Sequence, residues 1–206
     1  MHKLSIFGFF LFFQLQTAFS QSWQKSILEH RETYKKEFLE DEKGPLTKED
    51  LPFLRFYKPD PAYKVIVKFN KINDTIGFDM QTHNGVIKKY YVYGIVSFIL
   101  KKQTHKLYVY QSEKLRTKEG FEDYLFIPFT DNTNYKETFG GGRYLDFRFS
   151  DIVKGSIVID FNKCYNPYCA YKEGYACPIP PKENDLKISI PVGEKLFGGE
   201  IKESSK

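Results

Sequence analysis

From Ala62 onward the chain changes period. Tyr63, Val65, Val67 and Phe69 alternate with Lys64, Ile66, Lys68 and Asn70, the two-residue repeat of a strand with one face buried. Asn73-Asp74 turns the chain into Thr75–Met80, and His83-Asn84-Gly85 is the strongest hairpin-turn signal it contains. A long extended stretch runs from Val86 to Leu100, interrupted by Gly94, and Lys106–Gln111 and Tyr124–Phe129 read as two further strands around the charged segment Ser112–Glu122. Ser156–Phe161 and Leu186–Ile190 are short strand candidates. About eight strands joined in local order predict a mostly β fold: an antiparallel meander forming a barrel-like or sandwich domain. The absence of crossover helices between strands argues against a parallel α/β sheet.

Ahead of the strands, Trp23, Ile27, Arg31, Tyr34 and Phe38 recur at helical spacing, with Gln24, Lys25, Glu29, Lys35, Lys36 and Glu37 on the rest of the wheel. Residues 23 to about 40 are therefore expected as an amphipathic helix whose apolar stripe lies on the sheet. Gly44-Pro45 stops it, and Thr47-Lys48-Glu49-Asp50 caps a short turn before Pro52. Earlier still, His2 and Lys3 precede the apolar run Leu4–Phe13, which has the length of a signal h-region and is too short to span a bilayer core. Ala18 and Ser20 suit a cut that leaves Gln21 first. The expected organisation is a signal peptide at 1–20, a helix and linker at 21–56, one β-rich domain at 57–200 and a flexible tail at 201–206. On this reading the product is exported, periplasmic or extracellular, with no stable membrane span after cleavage.

A formal charge of +5 over 206 residues, with Lys and Glu intermingled, leaves no concentrated basic stripe, which argues against a nucleic-acid partner. Lys88-Lys89 and Lys101-Lys102 are short pairs near expected turns. The 20 Phe and 15 Tyr suit a sheet core, and would equally suit a lined ligand cavity.

Two segments carry the less ordinary chemistry. The first runs from Asp131 through Gly140-Gly141-Gly142 to Arg143-Tyr144. Three glycines let backbone amides approach a ligand, and Arg143 offers a fork to a carboxylate or phosphate. The same residues could instead solve a backbone problem, with Arg143 pairing structurally to Asp146 or Asp160. There is no Gly-Lys-Ser/Thr ending, so this is no nucleotide loop. In the second segment a strand ends at Asp160 and Asn162, a polar pair at a sheet edge that serves either as site residues or as loop-bracing hydrogen bonds. Cys164, Cys169 and Cys177 follow. Export makes a disulfide the default for two of them, and Cys169 with Cys177 would close a small ring around Tyr171–Tyr175, leaving one thiol over. Their spacing matches no zinc motif, and no metal or other cofactor is expected.

At these segments the chain resembles the bacterial family catalogued as domain of unknown function 1684. The resemblance rests on Tyr57-Lys58-Pro59-Asp60-Pro61-Ala62-Tyr63, Phe129-Thr130-Asp131-Asn132-Thr133, Gly142-Arg143-Tyr144-Leu145-Asp146, and the run from Asp160-Phe161-Asn162 through Tyr165-Asn166-Pro167 and Cys169-Ala170-Tyr171 to Cys177-Pro178. It continues through Pro180-Pro181-Lys182-Glu183-Asn184. Cys164 departs from the pattern, where a small residue is usual, so the resemblance favours Cys169–Cys177 as the shared disulfide. It also implies that polar residues on both sides of the Asp160 strand form one site, without assigning them chemistry.

The expected function is binding of a small polar or anionic ligand at a loop-built rim, by Asp131, Arg143, Tyr144, Asp160, Asn162, Tyr165, Asn166, Glu183 and Asn184. An enzyme reading makes Asp160 a general base with Arg143 stabilising an anion in a hydrolytic reaction. A third reading is a structural or envelope interaction module. Oligomeric state is not legible in the sequence.

Overall fold

A computed structural model describes the backbone of residues 5–203 and the side chains from residue 21 to residue 203. The side chains on which the export-signal reading of 1–20 rests lie outside the described residues, as do residues 204–206 of the expected tail.

Helix α1 runs over Ser5–Glu40. Its expected stripe is the buried one: Trp23, Ile27, Arg31 and Phe38 are all under a tenth exposed. No helix among the described residues is long and apolar enough to cross a membrane. Past the helix, Asp50 accepts from Thr47 N–H and Oγ1 at 2.7 and 2.9 Å, fixing the chain entry to a 3-10 turn at Leu51–Phe53.

The strands are β1 (Lys64–Lys71), β2 (Phe78–Met80), β3 (Lys88–Leu100), β4 (Gln103–Ser112), β5 (Tyr124–Phe129), β6 (Arg143–Arg148) and β7 (Ser156–Asp160). They form one antiparallel sheet in the order β6-β5-β4-β3-β1-β7, with β2 paired to β3. The sheet curls into a half-barrel with α1 packed against it. Two tight turns use the primed geometry that hairpins prefer: Lys101 and Lys102 (φ 51° and 62°) join β3 to β4, and Lys154 with Gly155 (φ 50° and 72°) leads into β7.

Strand alternation gives the sheet two unlike faces. Val67, Val96, Leu107, Val109, Leu125, Ile127, Leu145 and Ile159 pack a mostly aliphatic core. Tyr90, Tyr110, Phe126 and Tyr144 occupy the opposite face, with Tyr108, Tyr124 and Tyr165 against them. Midway along β3 the register slips between Val92 and Gly94, so Tyr93 is the extra residue of a bulge. That slip carries β3 from the tyrosine face (Tyr90, Val92) to the aliphatic one (Val96, Phe98). Gly94 lies where a Cβ would come within 2.4 Å of the Phe69 ring, so only glycine admits this packing.

Two expectations change. The polar, glycine-rich segment from Asp131 to Tyr144, for which no strand was expected, runs into a full strand, β6, paired along β5 from Tyr124↔Arg148 to Phe129↔Arg143. Leu186–Ile190 joins no strand ladder, although Leu186, Ile188, Ile190 and Val192 are buried alternately as a strand would be. A single parallel bridge at Thr130↔Asp185 and backbone bonds to Thr130 and Asn132 hold its start, and the Asp131 and Arg143 side chains take up Ile190. In the segment expected as a tail, Lys202 N–H donates to Tyr171 O and its ammonium pairs with Asp50.

Candidate functional site

The residues singled out in the sequence separate into those that hold the walls and those that face a cavity. Arg143 belongs to the first group and is wholly buried. It occupies an inward position of β6, where Leu145 and Phe147 follow it into the core. Its Nη2 donates to Asp131 Oδ2 at 2.7 Å and to Ile190 O at 2.8 Å, and its Nη1 donates to Val192 O at 2.5 Å and Glu194 O at 3.2 Å. Asp131 Oδ1 accepts from Thr133 N–H, Thr133 Oγ1 and Ile190 N–H. One ion pair thus straps residues 190–194 to the sheet. The partner is Asp131, where the sequence had suggested Asp146 or Asp160. Gly142 (φ 89°) lies under Pro180, whose Cγ a Cβ would meet at 2.6 Å, while Gly140 packs against Tyr135 and Gly141 against Phe139 and His83, so the glycine run serves close packing.

Asn184 repairs a gap in the sheet. The pairing Tyr110↔Phe126 brings Tyr108 opposite Pro128, which has no N–H to give. The Asn184 amide enters between them, accepting from Tyr108 N–H at 2.7 Å and donating to Tyr108 O and Pro128 O at 2.9 and 2.8 Å. Glu183 beside it is exposed. Asn162 is likewise structural, exchanging two 2.8 Å bonds with the Asp60 backbone and donating to Asp160 Oδ1.

Glu194, which the sequence reading missed, is fully buried. It accepts from Tyr171 Oη at 2.6 Å, Tyr34 Oη at 3.1 Å and Asn166 N–H at 2.8 Å, and burial pushes its carboxyl up to about 7. Asn166 also donates to Lys195 O. Nothing in the local pattern marks Glu194, because its donors lie 23 to 160 residues away.

The cysteine expectation needs correcting. All three cysteines are free, and the expected Cys169–Cys177 disulfide is not formed. A hydrogen bond joins this pair instead: the 3-10 turn Tyr168–Ala170 directs the N–H of Cys169 at Cys177 Sγ, 3.2 Å away. Hydrogen bonding from Cys169 lowers the Cys177 thiol, with Lys88 adding to the effect. Cys164 is buried among apolar neighbours, which pushes its thiol up to about 11.

Between α1 and the tyrosine side of β5 and β6 lies a cavity of about 1050 Å³. Trp23, His30 and Tyr34 line it from the helix, Tyr124, Tyr144 and Asp146 from the sheet, and Asp160, Tyr165 and Cys177 from the following loops. Of the residues proposed from sequence, the cavity gathers Tyr144, Asp160 and Tyr165. Asp160 is occupied there: Oδ2 accepts from Trp23 Nε1 at 3.0 Å and Oδ1 from Asn162.

Asp146 differs from every other acid in the site. It lies outward on β6, exposed and open to the cavity, while the protein packed around it raises its carboxyl to about 6 against the opposing pull of Tyr124, Tyr165 and Arg148. Tyr124 Oη donates to Oδ1 at 2.6 Å, and Tyr165 Oη reaches both oxygens at 2.8 Å. Among the described residues it has no ion-pair partner. Aromatic rings enclose it: Phe126 and Tyr144 stack edge to face at 4.7 Å, and Tyr165 lies 5.9 Å from Tyr144 and 5.7 Å from Tyr34. The alternation of Tyr144 and Asp146 against Arg143, Leu145 and Phe147 was the signal that could have found this carboxylate, once 143–148 is read as a strand. Among the described residues no group of three or more His, Cys, Asp or Glu is placed to hold a metal ion.

The chain is similar to an uncharacterized protein of Haloarcula marismortui solved in solution by NMR, at 27% identity and a TM-score of 0.65 over 85% of this chain and 95% of that one. That relative is archaeal, so proteins of this shape extend beyond bacteria. No curated protein matches the chain. The profile described as "Protein of unknown function (DUF1684)" matches residues 49–195, which takes in every strand, Asp146, Glu194 and the three cysteines, and the chain belongs to that family.

Proposed function

We propose that this is an exported binding domain which holds a small polar ligand in the cavity between α1 and the tyrosine-lined side of β5 and β6. The observation that carries the reading is Asp146: an exposed carboxylate opening onto a partly open cavity, oriented by two phenols and without an ion-pair partner among the described residues. A raised carboxyl held by two phenols at a cavity mouth is a candidate ligand contact. The cavity's size and its mixed aromatic and polar lining suit a small organic molecule. Arg143 is withdrawn into the core, so the proposal takes Tyr144, Asp160 and Tyr165 from the sequence reading and adds Asp146 and Tyr124. Asp131, Arg143, Asn162, Asn166 and Asn184 hold the surrounding walls. Export rests on the charged start and apolar run of residues 1–20.

Trp23 is the single tryptophan of the chain and lines the cavity, so its emission reports occupancy. Screening small polar molecules against Trp23 fluorescence should give saturable changes that Asp146→Asn removes. A library that leaves the emission unmoved counts against the reading. An enzyme reading draws on the same carboxyl, since a group near 6 beside two phenols suits proton transfer. It requires turnover in an activity screen that Asp146→Asn abolishes.

A further inference from the structure

Resting on the cavity reading above, the electrostatics of that site point to the chemical class of its ligand. A carboxylate that opens onto a cavity without an ion-pair partner is free to receive a cation from a ligand. Asp146 has donors from Tyr124 and Tyr165 alone, on oxygens that together accept about four bonds. Among the described residues no cation pairs with it directly, although Arg148 lowers its carboxyl through space. Arg148, on the same strand, pairs with Asp123 at 2.6 Å and donates to Gly120 O. Lys88 donates to Ala176 O. Glu37 of α1 raises the Asp146 carboxyl further, so the helix adds negative potential to this end. Tyr90 of β3 is neutral across the ordinary range, its phenol pushed up to about 12 by burial. The lining around the carboxylate is aromatic, and ring faces attract cations while excluding water.

We propose that the cavity selects a small protonated amine, whose ammonium group donates to Asp146 while its carbon skeleton packs against Phe126, Tyr144 and Tyr165. An organic anion meets the Asp146 carboxylate and the negative potential of Glu37, with Arg148 offsetting them only in part, and a neutral alcohol can make the hydrogen bond without neutralising the charge. The preference is therefore for the ammonium form over both isosteres.

The test uses a series of primary amines from n-butylamine to phenethylamine, each beside the carboxylate and the alcohol of matching skeleton, titrated against Trp23 emission. The expected result is saturable binding of at least one amine, at least tenfold tighter than its carboxylate and alcohol partners. Asp146→Asn should weaken that amine by tenfold or more while Tyr90→Phe leaves it within about twofold. Equal or tighter binding of the carboxylate or alcohol overturns the amine assignment and leaves the cavity reading standing. Undiminished amine affinity in a folded Asp146→Asn variant also overturns the assignment. A flat response to every compound overturns both readings. If Asp146→Asn does not fold, the ranking of the three skeleton-matched compounds on the unaltered protein decides the question.

Discussion

Arg143 Nη2 lies 2.7 Å from Asp131 Oδ2 with both side chains at zero exposure, and the same guanidinium holds three backbone carbonyls of residues 190–194. The pair works as a clasp: it closes the C-terminal strap over one end of the aliphatic core, where a partner strand is missing. Removing one member of a buried pair leaves the other charged and desolvated. Arg143→Met is expected to cost about 3–5 kcal/mol in urea unfolding. Arg143→Lys should recover only part of this, because a compact ammonium cannot serve a carboxylate and three carbonyls with the geometry of a planar fork.

Glu194 gives the fold a pH dependence of unusual sign. Its folded-state carboxyl is raised to about 7 from an ordinary 4.5, so the folded chain keeps a proton that the unfolded chain releases. The stability tied to this group is fully present below about pH 4.5 and is lost as pH rises through 7. Glu194→Gln keeps an acceptor for Asn166 N–H and Tyr34, and supplies a donor toward Tyr171. Its stability relative to the unaltered chain should rise steadily between those limits, reaching on the order of 3 kcal/mol. Paired denaturant titrations at pH 4.5, 6 and 7.5 would measure it, and a difference that stays flat across the three contradicts the burial argument.

Asn184 is expected to be intolerant of its closest isostere. Asn184→Asp keeps the acceptor for Tyr108 N–H but turns two donors into a charge facing Tyr108 O and Pro128 O. The loss should exceed about 2 kcal/mol, visible as a lowered melting temperature at neutral pH. Much of that loss should return in acid, where the new carboxyl can donate.

Most strands were legible because hydrophobic alternation is a local signal. Tyr124–Phe129 was found at its true bounds, and the stripe Trp23, Ile27, Arg31, Phe38 identified the buried face of α1. β6 escaped because its first inward position is Arg143, a charge that breaks the binary pattern at the very point where the strand begins. Leu186–Ile190 misled in the opposite direction. Its alternation reports burial correctly, while its hydrogen bonds go to the Thr130 and Asn132 backbone and to the Asp131 and Arg143 side chains, which no periodicity can anticipate. Of the site, Tyr144, Asp160 and Tyr165 were found by their local context. Asp146 had been weighed only as a partner for Arg143, and the cavity depends on the curl of the sheet and the docking of α1, contacts spanning more than a hundred residues.

The thiols should differ sharply in reactivity. Cys164 is buried and its thiol is raised to about 11, so it should resist iodoacetamide at neutral pH until the chain unfolds. Cys177 lines the cavity and is lowered by its hydrogen bond with Cys169, so label should appear first in the peptide carrying 169 and 177. Peptide mass mapping after brief alkylation would rank the three. Early labelling of Cys164 would place it outside the core.

Asp160 was a candidate base on sequence grounds, and the structure gives it a mechanical task against which that role can be tested. It ties α1 to the end of β7 by accepting from Trp23 Nε1 at 3.0 Å, and it caps the following turn through Asn162 N–H at 3.1 Å. Asp160→Asn can keep one of these acceptors but must present its own N–H₂ to the other donor. The expected cost is roughly 1–3 kcal/mol, accompanied by a red shift of Trp23 emission as the indole loses its anchor and water enters beneath the helix. A base with no structural part would behave otherwise, losing activity while melting temperature and emission stay unchanged. Because the anchor and the cavity share Trp23, the variant should also weaken whatever the cavity holds, even though Asp160 need not touch it.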